Sequence, residues 1–297
     1  MYDCIIVGGG IAGIQAAIQL GRYQHQVLVI DSSDGRSNLC RCYHNIIGWP
    51  DGVSGQYLRD IGKQQAEGYG VIFLNEIVRT VKKDFDEFVV MDQSEKFHQA
   101  KTILFATGVK DRLPNFANLS PCLGISVYIC PDCDGYEVKD KRTLVLGSGN
   151  SGASMALSLS YFTNRLIYIN HEQKDIDQKN KEKLKDKQIP IYNKSIAEVF
   201  TEGSLIQGVK LTDGQVIEAS HAFVSFGGNI VRSDLAKSLG TKLHKNNHIL
   251  VNPRTMMTSI NRVWAAGDVV PHSEQVTIAM GDGLQAAIWI HKKLRSI

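Results

Sequence analysis

The 297-residue chain lacks any long hydrophobic run, and no apolar stretch approaches the roughly 20 residues that a membrane span requires. It also has little net charge, +3 at pH 7, and no cluster of Lys and Arg interleaved with aromatic residues, which argues against a nucleic-acid partner. The first residues lead into an apolar strand pattern without the basic region and cleavage site of a secretory signal. We therefore expect a cytoplasmic protein with no membrane association.

Cysteine is sparse as well. Six cysteines in a chain without a secretory signal do not indicate a disulfide framework. Cys4 lies in an apolar strand pattern and Cys122 follows a proline, so both are interpreted as packing residues. Any disulfide in such a chain is expected to be catalytic rather than structural. The length, with 43% hydrophobic and 21% charged residues, suits two ordinary globular domains.

The most informative feature that is present is a glycine signature that follows the apolar run at 4–7. It reads Gly8-Gly9-Gly10-Ile11-Ala12-Gly13, opens a helix pattern, and is followed by a strand pattern that ends at Asp31. The spacing from Gly8 to Asp31 is close to the roughly 20 residues of a dinucleotide-binding βαβ unit. The glycines allow close approach of a pyrophosphate to the helix N-terminus, and Asp31 suits the adenosine ribose. An unrelated glycine turn is the less favoured alternative.

A second glycine signature repeats this plan in the middle of the chain. It reads Gly147-Ser148-Gly149-Asn150-Ser151-Gly152, and its second strand pattern ends at Asn170 with the same spacing. The acidic residue is absent, and no arginine follows this strand to hold an NADP 2′-phosphate. A nicotinamide cofactor, NADPH or NADH, is still the best ligand. A degenerate unit that binds nothing is the alternative.

A Cys-x-x-Cys pair, Cys130 and Cys133, stands just before the second signature. Two intervening residues let both sulfurs share one helical turn and close a reducible disulfide. Asp134 follows directly and is the candidate proton carrier for thiol–disulfide exchange. Half of a zinc site is the alternative, but the C-x-C spacing of Cys40 and Cys42 is poor for the other half. We therefore predict no metal.

In this order, the motifs resemble those of the low-molecular-weight thioredoxin reductases, flavoproteins of the pyridine nucleotide-disulfide oxidoreductase group. The resemblance covers nearly the whole chain, and it matches the family's FAD fingerprint to residues 8–13 and its C-x-x-C-D-G active site to residues 130–135. It implies an FAD site and an NAD(P) site. The implied FAD residues are Gly8, Gly10, Ile11, Ala12, Gly13, Asp31, Arg36, Asn45, Thr107, Gly108, Gly267, Asp268, Gln275 and Val276. The implied NAD(P) residues are Gly147, Gly149, Asn150, Ser151 and Gly152.

The resemblance also implies an α/β fold class of two Rossmann-like three-layer dinucleotide-binding domains, the second inserted in the first. The FAD domain is expected at residues 1–112 and 246–297, and the NAD(P) domain, carrying the dithiol, at residues 113–245. The family typically forms homodimers. In it, the residue matching Cys133 lies against the flavin and the residue matching Cys130 meets the substrate.

The implied function is transfer of electrons from NAD(P)H through FAD and the Cys130–Cys133 dithiol to a disulfide. The expected catalytic residues are these two cysteines and Asp134. The expected partner is thioredoxin, a thioredoxin-like protein or a small disulfide. Two alternatives stay open: a flavin-dependent oxidase or reductase of a small-molecule dithiol, and a non-catalytic flavin redox sensor.

The chain departs from the family pattern in several places. The basic His-Arg-Arg-x-x-x-Arg segment that holds the NADPH phosphate is Asn170–Ile176 here, which weakens NADPH as the donor. The sequence of residues 134–137 is more similar to that of relatives that act on small dithiols than to that of thioredoxin-reducing members. Cys40 and Cys42 have no counterpart, and we expect two free thiols because a C-x-C disulfide closes a strained ring; a second redox pair is the alternative. His44 is interpreted as structural, and a flavin-side acid is the alternative.

Overall fold

The structure is a computed structural model that describes residues 1–297. Each half of the chain opens with alternating strands and helices and continues with a run of consecutive strands. In chain order the elements are β1 (Tyr2–Val7), α1 (Ile11–Arg22), β2 (Val27–Asp31), α2 (Gly55–Glu67), β3 (Ile72–Asn75), β4 (Val78–Asp84), β5 (Glu87–Asp92), β6 (Phe97–Phe105), β7 (Val109–Lys110), β8 (Val127–Tyr128), α3 (Pro131–Asp134), β9 (Thr143–Gly147), α4 (Gly149–Leu159), β10 (Leu166–Asn170), α5 (Gln178–Asp186), β11 (Ile191–Tyr192), β12 (Ile196–Glu202), β13 (Leu205–Leu211), β14 (Val216–Glu218), β15 (His221–Ser225), β16 (Ile230–Val231), α6 (Asp234–Ser238), β17 (Val263–Ala265) and α7 (Val276–Leu294).

The chain forms two compact units. Unit 1 comprises residues 1–38, 54–110 and 230–297, and unit 2 comprises residues 39–53 and 111–229. The second unit is thus inserted in the first, and the predicted fold class is confirmed. None of the helices combines the length and apolar character needed to cross a bilayer.

The bounds of these units differ from the predicted domain bounds by two residues at the first junction, where 111–112 belong to unit 2, and more widely at two other places. Residues 230–245 belong to unit 1 rather than to the inserted unit, because β16 pairs with β7 and α6 packs against β4. Residues 39–53 group with unit 2, where a Cβ on Gly124 would lie only 2.5 Å from the backbone N of Arg41. Neither segment carries a long periodic pattern from which its unit could be read.

Unit 1 is built on a sheet of order β3-β2-β1-β6-β5-β4, with β17 also paired to β6. The strands β3, β2, β1, β6 and β17 run parallel, while β5 and β4 extend the sheet antiparallel. Buried runs in β1, β2 and β6 explain the parallel core, since both faces of such strands are covered. Helices α1 and α7 pack against each other, and the glycine turn lies at the carboxyl end of β1.

Unit 2 has a parallel sheet of order β11-β10-β9-β15-β8 and a separate antiparallel sheet β12-β13-β14. Two clusters of buried side chains lie in this unit, one centred on Leu144 and Leu146 and the other on Val145 and Tyr168. Successive residues of β9 belong in turn to one cluster and to the other, so both faces of this strand are covered. The second glycine turn follows β9 at the carboxyl end of this sheet.

Candidate active site and cofactor sites

The glycine turn of unit 1 combines two tightly packed positions with one open position. Gly8 has φ +106°, and a Cβ there would lie 2.4 Å from the carbonyl oxygen of Ala106. A Cβ on Gly13 would lie 2.0 Å from the carbonyl oxygen of Gly8, whereas one on Gly10 would meet nothing within 4 Å. Gly10 also caps α1 without a side-chain hydrogen bond, so the first N–H groups of this helix are available to a ligand. Ile11 and Ala12 begin α1 directly after it.

Asp31 lies at the end of β2 beside this turn. Its Oδ1 accepts a hydrogen bond from Gly9 N at 2.9 Å, and its Oδ2 lies 2.7 Å from a guanidinium nitrogen of Arg59. Both residues line a cavity of about 190 Å³ together with Asn38. Sequence reasoning missed Arg59, which comes from α2 and carries no motif of its own.

Unpartnered polar atoms border this cavity. The second guanidinium nitrogen of Arg59 and Oδ1 of Asn38 belong to lining residues, are buried and have no hydrogen-bond partner within the protein. Buried polar groups normally have partners, so these atoms are suited to hold a polar ligand. Together with the open turn at Gly10, they fit the adenosine and pyrophosphate of FAD.

A charged cluster joins two more of the predicted FAD residues of unit 1, Arg36 and Asp268. Arg36 lies 3.0 Å from Asp268 Oδ2 and forms a second ion pair with Glu274. Gly267 precedes Asp268 at φ +77°, and its N–H donates to Asp282 at 3.0 Å. Glu274 is therefore neutralised locally by Arg36.

The remaining FAD candidates separate into two groups. Thr107 donates to the carbonyl oxygen of Arg232 at 2.6 Å and Gly108 follows at φ +67°, within unit 1. Gln275 is the N-cap residue of α7, without a side-chain capping hydrogen bond, and Val276 begins that helix, also in unit 1. Asn45 is different, since it lies in the segment 39–53 that groups with unit 2.

The glycine turn of unit 2 follows the same plan but is more closely packed. A Cβ on Gly152 would lie 2.4 Å from the ring of Tyr168, and one on Gly147 would lie 2.6 Å from a carbonyl oxygen. Gly149 has φ +50°, and a Cβ there would lie 3.1 Å from the carbonyl oxygen of Asp175. Asn150 accepts a hydrogen bond from Asp177 N at 2.9 Å. The loop after β10 thus lies directly beside this turn.

Two further residues of that turn region are engaged with their own chain. Asn170, at the end of β10, accepts from Gly149 N at 2.8 Å and donates to the carbonyl oxygen of Lys174 at 2.8 Å. Ser151 accepts from the Ser225 hydroxyl through its carbonyl oxygen at 3.1 Å. The strand-end position that is the Asp31 carboxylate in unit 1 is therefore a neutral amide in unit 2, where it holds the loop in place through hydrogen bonds.

Glu172 occupies the segment where the family has basic residues. It forms an ion pair with Arg112 and lies 2.9 Å from Lys174 Nζ. The Arg112 guanidinium is the main cause that lowers the pKa of Glu172 to about 2, so the carboxylate is charged at any physiological pH. These residues fit a nicotinamide dinucleotide, but Glu172 opposes a 2′-phosphate. Sequence reasoning missed Arg112 because it lies 60 residues away along the chain.

The predicted dithiol is formed as a disulfide between Cys130 and Cys133, whose Cα atoms are 5.3 Å apart. Both residues are half-buried at the start of α3. Cys133 N donates to Cys130 Sγ at 3.2 Å. When the bond is reduced, the same N–H stabilises a thiolate at Cys130, which makes this sulfur suited to attack a disulfide.

Asp134 is buried next to the disulfide. Burial raises its pKa to about 7, and the nearby negative charge of Glu137 contributes to the same shift. A carboxyl group with this pKa exchanges protons near neutral pH, as a general acid–base group for thiol exchange requires. The structure thus brings together the three predicted catalytic residues.

The other four cysteines are free thiols. Cys4 and Cys122 are fully buried, as expected of packing residues. Cys40 and Cys42 lie in the segment 39–53 as two free thiols, as predicted. No group of three or more His, Cys, Asp or Glu side chains has the arrangement needed to hold a metal ion.

Comparison with known proteins agrees with this geometry. Two dinucleotide-binding units with a redox-active dithiol define a flavoprotein disulfide oxidoreductase. A family model described as pyridine nucleotide-disulphide oxidoreductase matches residues 2–283, and the chain belongs to this family. It is an oxidoreductase whose cofactors are FAD and a nicotinamide nucleotide.

Individual relatives match along nearly their whole length. The chain is 30% identical to a thioredoxin reductase of Treponema pallidum over 96% of this chain and 95% of that protein. It is 28% identical to a thioredoxin reductase of Aquifex aeolicus, over 99% of this chain and 94% of that protein. Among solved structures, HlmI superposes with a TM-score of 0.89 at 26% identity, covering 99% of this chain and 93% of that one. Thioredoxin reductase from Streptococcus pyogenes superposes with a TM-score of 0.88 at 25% identity, covering 100% and 99%.

Proposed function

We propose that the chain is a thioredoxin reductase-type enzyme that reduces the disulfide of a thioredoxin-like protein through Cys130 and Cys133. The observation that carries this proposal is the half-buried Cys130–Cys133 disulfide with Asp134 beside it at a pKa of about 7. When bound, a nicotinamide nucleotide and FAD supply the electron pair that opens this disulfide.

Cys130, Cys133 and Asp134 then have different roles in the reaction. Cys130, whose sulfur accepts the Cys133 N–H, is the sulfur that attacks the substrate disulfide. A mixed disulfide forms on Cys130 and one half of the substrate leaves as a thiol. Cys133 then attacks Cys130, which restores the Cys130–Cys133 bond and releases the second thiol. Asp134 in its protonated form donates to the leaving sulfur.

The flavin-binding roles of individual residues are part of the same proposal. Asp31 with Arg59 would hold the adenosine ribose, and the open backbone at Gly10 would receive the pyrophosphate. Arg36 and Asp268, linked at 3.0 Å, would orient the remaining part of the cofactor. In unit 2, the turn at Gly149–Gly152 would receive the nicotinamide dinucleotide.

The experiment that tests this proposal compares Cys130→Ser and Cys133→Ser in steady-state reduction of oxidised thioredoxin. Each variant is expected to lose turnover by more than about 10²-fold, because neither can close the disulfide. Cys133→Ser should in addition trap the substrate as a stable mixed disulfide on Cys130, since the resolving thiol is gone. Cys122→Ser removes a buried free thiol of the same unit and serves as the control. If either variant at the dithiol retained near-wild-type turnover, the proposal would be wrong.

A second candidate function is oxidation of a small-molecule dithiol with oxygen as the electron acceptor. The observation that favours it is Glu172, whose carboxylate stands in place of a phosphate-binding cation and is tied to Arg112. Rapid reoxidation of the reduced flavin by air, with dithiol consumed and no NAD(P)H required, would support this candidate. Slow reoxidation with efficient NAD(P)H turnover would exclude it.

We also propose a homodimer in the cytoplasm, as is typical of the family. The partly exposed free thiols of Cys40 and Cys42 agree with a reducing compartment. Sedimentation analysis of the flavin-loaded protein tests the dimer, and a monomer at micromolar concentration would refute it.

A further inference from the structure

A second group of sulfur and proton-transfer side chains lies in the loop at 40–44, apart from the Cys130–Cys133 disulfide. Cys42 Sγ lies 3.3 Å from His44 Nε2, and the other ring nitrogen, Nδ1, lies 3.3 Å from Glu137 Oε1. This is the order thiol, base and carboxylate found in activated-nucleophile sites, in which the carboxylate orients the ring and the ring accepts the proton. Cys42, His44 and Glu137 are all partly exposed, so a substrate can reach them.

Cys40 supplies a second thiol to this group. Its Sγ donates to the carbonyl oxygen of Cys42 at 3.5 Å, and it is more deeply buried than Cys42. Burial raises the pKa of Cys40 to about 12, and burial together with the charges of Glu137 and Asp134 also raises the pKa of Cys42. Both are therefore protonated at neutral pH, and Cys42 needs the adjacent imidazole to become a nucleophile. A thiol of high pKa is a strong nucleophile once it has lost its proton.

The loop is held against the turn that carries the redox disulfide. Asp134, which follows Cys133, is close enough to Cys40 and Cys42 for its charge to act on both thiols. Glu137, one turn further on, holds His44. On the other side, a Cβ on Gly52 would lie 2.2 Å from Cys42 Sγ, so the returning chain fixes this sulfur in place. These contacts are all within unit 2.

We propose that Cys42, with His44 as its base and Cys40 as the resolving thiol, forms a second disulfide-exchange site, which passes electrons from the Cys130–Cys133 dithiol to a small disulfide, in addition to the direct attack of Cys130 on the disulfide of a thioredoxin-like protein. The proposal rests on the proposed function, because the electrons come from that dithiol.

The exchange is balanced in atoms and electrons. Cys42 gives its proton to His44 and attacks one sulfur of the substrate; the substrate S–S bond breaks and one half leaves as a thiol with that proton. Cys40 then gives up its proton and attacks Cys42. The second half of the substrate leaves as a thiol with that proton, and a Cys40–Cys42 disulfide remains. The substrate has thus gained the two electrons that Cys40 and Cys42 have lost. The reduced Cys130 and Cys133 attack this disulfide in the same way, restore the two thiols and become the disulfide.

The first test uses the flavin-loaded protein with Cys130 and Cys133 both replaced by serine, and 5,5′-dithiobis(2-nitrobenzoate) as the disulfide probe. A rapid release of thionitrobenzoate from Cys42 is expected, followed by a second release as Cys40 resolves the mixed disulfide. Adding Cys40→Ser should stop the reaction at a stable mixed disulfide on Cys42, and adding Cys42→Ser should remove the rapid phase. Cys122→Ala is the matched control and should keep both phases.

His44 is tested in the same assay. His44→Gln should slow the rapid release at least tenfold, in line with the usual contribution of a general base, while leaving its final amount unchanged. A rapid phase that survives Cys42→Ser, or a rate that is the same with and without His44, would overturn the proposal. If serine at position 42 disturbs the loop, Cys42→Ala gives the same comparison.

The second test measures storage of electrons in the full chain. Protein oxidised with the same probe and then desalted should take up one more electron pair from dithionite than the Cys42→Ser variant. Equal uptake would contradict the proposal. The result is independent of the proposed function, which fails instead if Cys130→Ser retains turnover while Cys42 still reacts with the probe.

Discussion

The two glycine turns of this chain have one plan and opposite surroundings. The third glycine of the turn is open in unit 1, where a Cβ on Gly10 would meet nothing within 4 Å. In unit 2 the equivalent Gly149 is covered, because its Cβ would lie 3.2 Å from the Lys174 side chain and 3.1 Å from the Asp175 carbonyl oxygen. The same βαβ fold therefore offers a wide approach to one dinucleotide and a narrow approach to the other.

The residues at the ends of β2 and β10 also differ between the two units. Asp31 is a carboxylate that shares a cavity with Arg59, and Asn170 is a neutral amide that is only 1% exposed. Asn170 donates to Lys174 O and Asn193 Oδ1 and accepts from Gly149 N, so its polar atoms are used within the protein. The comparison teaches that the spacing of the motif determines the fold, while the residue at the strand end determines what the fold can hold.

The largest expected effect is loss of the flavin from unit 1. Gly13→Ala places a methyl group 2.0 Å from a backbone oxygen that cannot move freely, so we expect a loss of about 3 kcal/mol or more in the free energy of unfolding. The purified variant should contain little flavin. Urea denaturation and the flavin absorbance per protein measure both quantities.

Matched substitutions complete this comparison. Gly10→Ala, at the open position, should keep its stability within about 1 kcal/mol of the wild type. Gly152→Ala, which meets the Tyr168 ring in unit 2, should retain FAD and lose reduction of the flavin by nicotinamide nucleotides. A Gly13→Ala protein with full flavin content and normal stability would refute the assigned role of the turn.

The next effect concerns the dithiol, which unit 2 has and unit 1 lacks. Asp134 has a pKa raised to about 7, so it is a proton donor below this pH and a carboxylate above it. Disulfide exchange by the wild type should therefore slow as the pH rises through about 7. Asp134→Asn should be about 10²-fold slower at pH 6 and should lose this inflection.

The same shift has a consequence for stability. Since the folded-state pKa lies above the ordinary value of 3.8, the protonated form is favoured by folding and its contribution is lost as the pH rises through about 7. Stopped-flow exchange and urea denaturation at several pH values check both statements. An unchanged inflection in Asp134→Asn would assign it to another group.

A smaller effect is expected at Asp31, which we propose holds the adenosine ribose in unit 1. Asp31→Asn removes a charged acceptor and leaves the buried Arg59 unpaired, which costs about 1.5–3 kcal/mol. The dissociation constant of FAD should rise about 10- to 100-fold, as measured by fluorescence titration of the apoprotein. Asp3→Asn, at an ion pair with Lys101 in the same unit, should leave FAD affinity unchanged. Equal affinities for the Asp31 variant and the wild type would show that the cofactor does not use this carboxylate.

The smallest effect is a change in the choice of nicotinamide nucleotide. We expect the wild type to discriminate poorly between NADPH and NADH, because Glu172 neutralises Arg112. Glu172→Gln should release this guanidinium for a 2′-phosphate and raise the ratio of kcat/KM for NADPH over NADH about tenfold. Glu182→Gln, on the exposed face of α5, is the control. A ratio that stays constant or moves towards NADH would contradict this interpretation.

Local patterns made much of the fold and of the dithiol site predictable. The glycine signatures with their strands, and the Cys-x-x-Cys pair followed by Asp134, lie in short segments whose geometry depends on neighbours in sequence. The structure places Gly13 and Asp31 in one turn region and Cys130 beside Asp134 for this reason.

Contacts between distant segments were not predictable from the same patterns. Arg59 reaches Asp31 from another helix, and Arg112 reaches Glu172 across 60 residues. His44, interpreted as structural from the sequence, pairs with Glu137 across more than 90 residues and touches Cys42. Such contacts depend on which way a side chain points and on how loops close, and a single sequence without periodicity in those loops does not encode this visibly.

The central claim is that Cys130 and Cys133 receive the electrons of the nicotinamide nucleotide. The most direct test is anaerobic addition of NADH or NADPH to the flavin-loaded protein, followed by rapid alkylation and peptide mapping. The account predicts that Cys130 and Cys133 become alkylated in proportion to the nucleotide oxidised, beyond the amount that reduces the flavin. If the nucleotide were oxidised and the flavin reduced while Cys130 and Cys133 stayed linked, the account would be contradicted.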